Sequence, residues 1–177
     1  MFKKILVAVD DSEITPDLVS RAIALAKATH AHLKFLTVLY PISVGYPNPI
    51  DLTVDGIPST VSTEAFQRYL DTWKQAQAES LNRLVNWVKQ AETAGVEASY
   101  EQELGEPSRL ICDIAAYWQA DVILIGRRGR VGISELLLGS VSNAVMHHAS
   151  CSVLTIQGHT SRSSPSTVTA EQTATVE

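Results

Sequence analysis

The stretch VILIGRRGRVGISELLLGSVSNAV, residues 122–145, contains the pattern that decides the fold. Its apolar run Val122–Ile125 is rich in β-branched residues, which is typical of a strand buried on both faces. Glycines follow at 126 and 129. After nine intervening residues, Gly139 and Ser140 precede a segment with apolar residues at helical spacing. The stretch therefore predicts a buried strand, a glycine-containing loop and a helix that begins at Ser140.

Four further segments have the composition of β-strands. Three are nearly continuous apolar runs, Ile5–Val9, Leu33–Leu39 and Val153–Ile156. The fourth, Val96–Glu101, alternates apolar and polar residues, which is typical of an edge strand. Together with Val122–Ile125, these segments give five predicted strands.

Helical segments lie between successive strands. The predicted helices are Ser12–Thr29, Thr63–Ala94, a third that opens with Gly105-Glu106-Pro107, and a fourth from Ser140 to about Ala149. Ser12 is a candidate N-cap, and Gly95 stands where a left-handed C′ residue ends the second helix. Strands that alternate with helices predict an α/β fold, with a doubly wound parallel sheet and helices on both faces.

Composition narrows the class of protein. The chain has 177 residues, 45% of them hydrophobic, which suffices for one well-packed domain. Its formal net charge of −5 disfavours nonspecific binding to nucleic acid and to anionic membranes. No stretch reaches the roughly 20 apolar residues of a membrane span, and the spacing of Cys112 and Cys151 fits neither a disulfide framework nor a metal motif. We therefore expect a cytoplasmic protein without nucleic-acid or membrane partners.

Two segments differ in composition from the rest. Residues 41–62 contain four prolines and two glycines without periodicity, so we expect a flexible loop. Residues 158–177 are rich in Ser and Thr and lack aromatic residues, so we expect a disordered tail. The folded domain is predicted to comprise residues 1–157.

Candidate ligand-binding residues follow the first and fourth predicted strands. Ligands of doubly wound sheets bind beyond the carboxyl ends of the strands, where Asp10 and Gly126 stand. Glycines let the backbone approach a phosphate closely, and the N–H groups at a helix start attract anions. The sequence therefore predicts a phosphate-binding cradle formed by Gly126, Gly129, Gly139 and Ser140. Glycines that serve only to turn the chain are the alternative.

The spacing of these residues resembles the universal stress protein family, in particular its nucleotide-binding branch. The family's motif is G-x2-G-x9-G-[ST], and this chain has it in full. The segments ILVAVDDS (5–12), Gly105-Glu106-Pro107 and LLLGSVSNAVMHHASCSVLTI (136–156) are also similar, so the resemblance covers residues 1 to about 157. It implies the strand order 3-2-1-4-5, with strands one and four side by side.

The resemblance also implies roles for the crevice residues in binding ATP, ADP or AMP, with or without Mg²⁺. Asp10 is expected to hydrogen-bond the ribose hydroxyls. The adenine is expected to be bordered by Ala8, Val38 and Ile125, and Val38 offers it backbone groups. The phosphates are expected to meet Gly129, Gly139, Ser140, Val141 and Ser142. Arg128 is either a charge partner of the phosphates or a solvent-exposed residue.

These expectations favour a regulatory binding module, whose nucleotide occupancy alters association with a partner. A weak ATPase or phosphotransferase that uses the same pocket is the alternative. The chain has no GxxxxGK[ST] loop, no GxSxG motif and no evident base beside the cradle, so no catalytic residue and no metal ligand is assigned. An interaction subunit with a vestigial crevice is disfavoured by the intact motif.

Response-regulator receivers also have a five-stranded parallel sheet and an acidic pair, here Asp10-Asp11. Such a domain needs an aspartate after strand three and a lysine after strand five. This chain has Glu101, Glu103 and Gln157 there, which disfavours the receiver class.

The last predicted strand favours a homodimer. Cys151–Ile156 is apolar and has no lysine or proline to protect it, so an unpaired edge there would invite aggregation. The family resemblance points the same way, because many members associate through this strand.

Overall fold

The computed structural model describes residues 1–40, 63–127 and 139–157. The segment 41–62 and the tail 158–177, for which a flexible loop and disorder are predicted, lie outside the described residues. The elements are β1 (Lys4–Ala8), α1 (Thr15–Thr29), β2 (His32–Leu39), α2 (Thr63–Thr93), β3 (Ala98–Leu104), α3 (Pro107–Trp118), β4 (Val122–Gly126), α4 (Ser140–His148) and β5 (Ser152–Ile156).

The five strands form one sheet in the order β3-β2-β1-β4-β5, and every neighbouring pair is parallel. β1 lies at the centre, between β2 and β4. This order confirms the predicted doubly wound sheet. It also puts the switch point, where ligands of such sheets bind, between β1 and β4.

Helices cover both faces of the sheet, as predicted. On one face, α1 and α2 pack on the strands through residues such as Leu18, Leu84 and Phe35, each at most 1% exposed. On the other face, α3 and α4 contribute residues such as Ile111 and Val145 to a second apolar cluster. Burial on both faces explains the nearly continuous apolar runs of the central strands.

The predicted role of Gly95 at the end of α2 is confirmed by its geometry. Gly95 has φ +79°, a left-handed conformation that glycine adopts without strain. Its N–H donates to the Glu92 carbonyl, and the Val96 N–H donates to the Ala91 carbonyl, both at 2.9 Å. These two bonds form a Schellman motif, which ends the helix.

The predicted bounds of two elements, α1 and β3, differ from the structure by more than one residue. α1 begins at Thr15 instead of Ser12, because the amide and hydroxyl of Ser12 both donate to the Asp10 carboxylate and form a turn before the helix. β3 spans Ala98–Leu104 instead of Val96–Glu101. It continues as far as its neighbour β2, whose last residue pairs with Leu104, so cross-strand pairing overrides the local pattern.

α2 is the longest helix, with 31 residues, and it lies beside the edge strand β3. The Gln102 side-chain amide donates to the Gln77 carbonyl at 3.1 Å, which fixes the position of the helix along the strand. Among the helices of the described ranges, none is long and apolar enough to cross a membrane.

Candidate functional site

The carboxyl ends of β1, β2 and β4 lie at one level of the sheet. Ala8 is in register with Leu36 on β2 and with Ile125 on β4. Asp10 and Arg127 each follow this level by two residues. The structure therefore brings the ends of β1 and β4 together at the switch point.

Asp10 is exposed, and three hydrogen bonds orient its carboxylate. Its Oδ1 atom accepts from the Ser12 amide (3.0 Å), the Ser12 hydroxyl and the Thr15 hydroxyl (2.9 Å). Thr15 is only 2% exposed, so its hydroxyl is itself firmly placed. All three bonds end on Oδ1, so none of them uses the other oxygen, Oδ2.

Ala8, Val38 and Ile125, the predicted adenine neighbours, belong to the face of the sheet that α3 and α4 cover. Ile125 is 6% exposed, whereas Ala8 and Val38 are half-buried. The bonding between β1 and β2 ends where the Val9 N–H donates to the Leu36 carbonyl (2.9 Å). Val38 lies two residues further along β2, so its backbone groups point to the same side, beyond the end of β1.

The start of α4 presents backbone donors. Gly139 is the N-cap residue, and its carbonyl accepts the first intrahelical bond, from the Asn143 N–H at 2.9 Å. The amides of Ser140, Val141 and Ser142 precede that bond and have no acceptor within the helix. N–H groups without an intrahelical acceptor, at the positive end of a helix dipole, are donors of the kind that bind anions in proteins.

The backbone of Gly139 connects the end of β4 to the start of α4. Its N–H donates to the Arg127 carbonyl (3.0 Å), so this amide joins the end of β4 to α4 instead of facing a ligand. Its φ of −59° and ψ of 152° are accessible to any residue, so backbone conformation does not require a glycine here.

Ser142 is 3% exposed, and its hydroxyl donates to the Gly139 carbonyl at 3.0 Å and to the Arg127 carbonyl at 3.4 Å. Its side chain therefore holds the helix start, and only its amide can serve a phosphate. The sequence did not indicate this structural role, because a serine near a helix start is equally compatible with a ligand contact.

Gly126 is the last residue of β4 and is in register with Ile156 of β5. The next residue, Arg127, donates its N–H to the Ile156 carbonyl (2.7 Å) and a guanidinium N–H to the Gln157 side chain (2.8 Å). Arg127 thus ties the ends of β4 and β5 together. Arg128 and Gly129, the remaining predicted phosphate neighbours, lie outside the described residues.

The segment Gly105-Glu106-Pro107 has a structural role at the end of β3. The Glu106 carboxylate caps α3 by accepting from the amides of Ser108 (3.1 Å) and Arg109 (2.7 Å). Burial acts to raise the pKa of Glu106. These two hydrogen bonds, a third from the Ser108 hydroxyl and the charge of Arg109 together outweigh burial and lower the pKa below its usual value. The capping role was not predicted, because glutamate is a less common N-cap than aspartate or serine.

The two cysteines lie outside the crevice. Both pack against the apolar cluster under α3 and α4, and burial raises the pKa of Cys112 and of Cys151. A raised pKa disfavours the thiolate, which is the reactive form of cysteine, so neither environment is that of an activated nucleophile. In the described part of the chain, His, Cys, Asp and Glu side chains form no group of three that could hold a metal ion.

Ser12 and Thr15 were missed as supports of Asp10. The two-residue spacing from Asp10 to Ser12 is a known turn signal, in which an aspartate accepts from the backbone two residues later. Thr15 had no local signal, because its bond to Asp10 depends on where the helix begins.

Comparison with known proteins gives consistent results. A sequence model of the universal stress protein family matches residues 1–157. The universal stress protein Sll1388 of Synechocystis is 37% identical over 88% of this chain and 98% of its own length. Among solved structures, that of the hypothetical protein MJ0577 matches with a TM-score of 0.72 and 25% identity, covering 91% of this chain and 99% of its own.

Two further structures contain ligands. A universal stress protein in complex with cAMP matches with a TM-score of 0.60 and 21% identity, over 88% of this chain and 97% of its own. The Archaeoglobus fulgidus universal stress protein in complex with dAMP matches with a TM-score of 0.54 and 22% identity, over 88% and 98%. At these identities, the two structures support the fold of the chain.

Proposed function

The chain belongs to the universal stress protein family, and we propose that it is a regulatory module that binds an adenine nucleotide between β1 and β4. One observation carries the proposal. An oriented carboxylate, Asp10, and amides at the start of α4 that have no acceptor within the helix follow neighbouring strands at the switch point. ATP, ADP and AMP fit this combination, because each has a ribose diol at one position and an anionic phosphate at another.

Asp10 is proposed to bind the ribose. A carboxylate accepts hydrogen bonds from two adjacent hydroxyls, and a fixed orientation reduces the entropy lost on binding. The Ser12 and Thr15 hydroxyls supply that orientation through Oδ1. The adenine would then lie against Ala8, Val38 and Ile125, with the Val38 backbone at its edge.

The phosphates are proposed to bind at the start of α4, on the amides of Ser140, Val141 and Ser142. The positive end of the helix dipole favours an anion there. Gly126 and Gly139 leave room for the phosphate group. Gly129 and Arg128 are proposed to complete the cradle.

The ligands of two related structures support the choice of adenine and phosphate. These ligands are cAMP and dAMP, both of which combine adenine with a phosphate. A nucleotide with one to three phosphates, with or without Mg²⁺, fits the same arrangement of groups. We propose ATP, ADP or AMP as the ligand of this chain.

The first test is the ligand content of the protein as purified. Mass spectrometry of small molecules released from protein prepared without added nucleotide should detect an adenine nucleotide. Calorimetry with ATP, ADP, AMP and GTP, each with and without Mg²⁺, should then show binding of the adenine compounds in preference to GTP. Equal binding of GTP, or no binding of any of them, would refute the proposal.

Binding without rapid turnover is the expected behaviour. The described residues at the start of α4 after Gly139 carry hydroxyl, amide and apolar side chains, which do not take up a proton at neutral pH. Phosphate release from ATP should therefore be slow. Fast, Mg²⁺-dependent release that Asp10→Ala abolishes would favour the alternative ATPase function.

We also propose that the chain forms a homodimer through β5. The Ile156 carbonyl accepts from the N–H of Arg127, the residue that follows β4. The even-numbered residues of β5 therefore form hydrogen bonds with β4, whereas the backbone groups of Val153 and Thr155 point away from the sheet. β5 carries no charged residue, and Leu154 is 42% exposed.

The dimer is tested by the mass of the protein in solution. Light scattering should give the mass of a dimer, and Val153→Pro should give a folded monomer because it removes only an N–H that points away from the sheet. A wild-type monomer at micromolar concentration would refute the dimer.

A further inference from the structure

The opposite edge of the sheet, β3, has two faces of different chemistry. Its odd-numbered residues lie on the face that α3 covers, and they continue an acidic row that begins just before the strand: Glu97, Ser99, Glu101 and Glu103. Its even-numbered residues lie on the α2 face: Ala98, Tyr100, Gln102 and Leu104. The alternation that predicted an edge strand thus separates acidic from largely apolar side chains.

Backbone groups of β3 are also available. The bonding to β2 begins where the Leu33 N–H donates to the Glu97 carbonyl and ends where the Gly105 N–H donates to the Leu39 carbonyl, both at 2.9 Å. The odd-numbered residues of β3 therefore bond inward. The N–H and C=O groups of Tyr100, Gln102 and Leu104 point away from the sheet, and within the described ranges β3 pairs only with β2.

Apolar side chains beside this edge are exposed. Tyr100 is 44% exposed and Leu104 is 56% exposed. Leu81 of α2 is 38% exposed, and it lies one helical turn from Gln77, whose carbonyl accepts from Gln102 of β3. These three side chains define an apolar strip along the α2 side of the strand.

The acidic face keeps a net negative charge. Lys34 forms an ion pair with Glu101 (2.7 Å), and His32 lies 3.3 Å from Glu97. Glu103 adds a further carboxylate at the end of the strand. Pairing of β3 with a second copy would bring two acidic rows together, which is unfavourable.

We propose that the β3 edge binds an extended segment of a partner protein in which basic and apolar residues alternate. Such a segment would add as a sixth strand, with backbone hydrogen bonds to the outward groups of Tyr100, Gln102 and Leu104. Its basic side chains would face Glu101 and Glu103, and its apolar side chains would cover the strip. Charge complementarity selects this partner over an acidic segment or a second copy.

The probe is a capped, fluorescent peptide of eight residues in which lysine and valine alternate. Fluorescence anisotropy with the full chain should show saturable binding. A peptide of the same composition with four lysines followed by four valines should bind about tenfold more weakly, because it cannot match both faces at once. An alternating glutamate and valine peptide should not bind.

Protein variants locate the site. Glu103→Lys should weaken binding of the alternating peptide by about tenfold, because it reverses a charge that the peptide faces. Glu13→Lys makes the same charge change in the exposed turn before α1 and should leave affinity unchanged.

Amide exchange should slow at Tyr100 and Gln102 when the peptide binds. The proposal would be overturned if the peptide with four lysines followed by four valines bound as tightly as the alternating peptide, or if both variants lost the same affinity. It would also be overturned if the peptide slowed amide exchange only in β5. Slower exchange in β3 that depended on protein concentration and not on the peptide would contradict it as well, because it would indicate self-association.

Discussion

The two ends of the sheet use polar groups in opposite ways. At the amino end, the Asp121 carboxylate accepts from the amides of Lys3 (2.6 Å) and Lys4 (2.9 Å). The Lys4 ammonium donates to the Trp118 carbonyl (3.0 Å), and the ammoniums of Lys4 and Lys34 lie 5.6 and 5.1 Å from the centre of the Trp118 ring. These polar groups bind one another, and hydrogen bonds from the two amides lower the pKa of Asp121.

The carboxyl end keeps donors and an acceptor for a ligand. The amides of Ser140 and Val141 lack intrahelical acceptors, and the Asp10 carboxylate is oriented through only one of its oxygens. The comparison fits our proposal that the carboxyl end binds the ligand, whereas the polar groups of the amino end contribute to stability. Substitutions at the two ends should therefore change different measured quantities.

The largest effect is expected for Gly139→Val. The added side chain would occupy the space between the phosphates and the amides of α4, so ATP affinity should fall by about two orders of magnitude or more. The fold should survive, because the φ and ψ of Gly139 are accessible to valine and Val145 still packs against the sheet. Calorimetry with ATP and a thermal melt of the same sample measure both quantities. A variant that binds ATP normally would remove α4 from the proposed site.

Trp118→Ala should have the opposite effect: it should lower stability and leave ATP affinity unchanged. It removes a ring that packs beside Lys4, Lys34 and His32, so unfolding free energy should fall by about 2 to 3 kcal/mol. ATP affinity should not change, because Trp118 lies at the other end of the sheet. Tyr117→Ala is the matched control: Tyr117 is 92% exposed, and its loss should leave stability within about 0.5 kcal/mol. Reduced ATP affinity in a folded Trp118→Ala protein would contradict the division between the two ends.

Asp10→Ala should weaken ATP binding by about 1 to 3 kcal/mol, because it removes a charged hydrogen-bond acceptor from the ribose. Thr15→Val tests the orientation of that acceptor, since it keeps the shape of the side chain and removes the hydroxyl bonded to Oδ1. Its effect on affinity should be in the same direction and smaller. Unchanged affinity in Asp10→Ala, measured by calorimetry, would show that the ribose lies elsewhere.

Ser140→Ala should have the smallest effect on binding, about 0.5 to 1.5 kcal/mol, because it removes one hydroxyl and keeps the backbone donors. The loss of ATP affinity in Ser140→Ala should be compared with the loss in Gly139→Val, with both variants titrated with ATP under the same conditions. A larger loss in Ser140→Ala than in Gly139→Val would mean that side chains, and not the helix amides, hold the phosphate.

The sequence predicted the strands, the helices and the sheet class because burial on both faces leaves a strong local signal, as in Ile5–Val9. The strand order came from the family resemblance, and the structure confirms it. Local patterns failed where tertiary contacts decide the outcome. β3 is extended by its pairing with β2, and α1 starts late because Asp10 binds Ser12.

The predicted site residues were harder to interpret than the fold. The glycine spacing identified Gly139 and Ser140 as the start of α4, and the structure agrees on that position. The pattern could not reveal that the Gly139 amide is bonded to Arg127, or that the Ser142 hydroxyl is directed inward. Such assignments depend on the path of the chain between two elements, which residue spacing does not specify.

The most direct test of nucleotide binding at the carboxyl end is an amide chemical-shift map recorded while ATP is added to the isotopically labelled protein. Our account predicts the largest shifts at Val38, Ser140, Val141 and Ser142, and little change at Lys4 and Trp118. No shifts at saturating ATP, or the largest shifts at the amino end of the sheet, would contradict it.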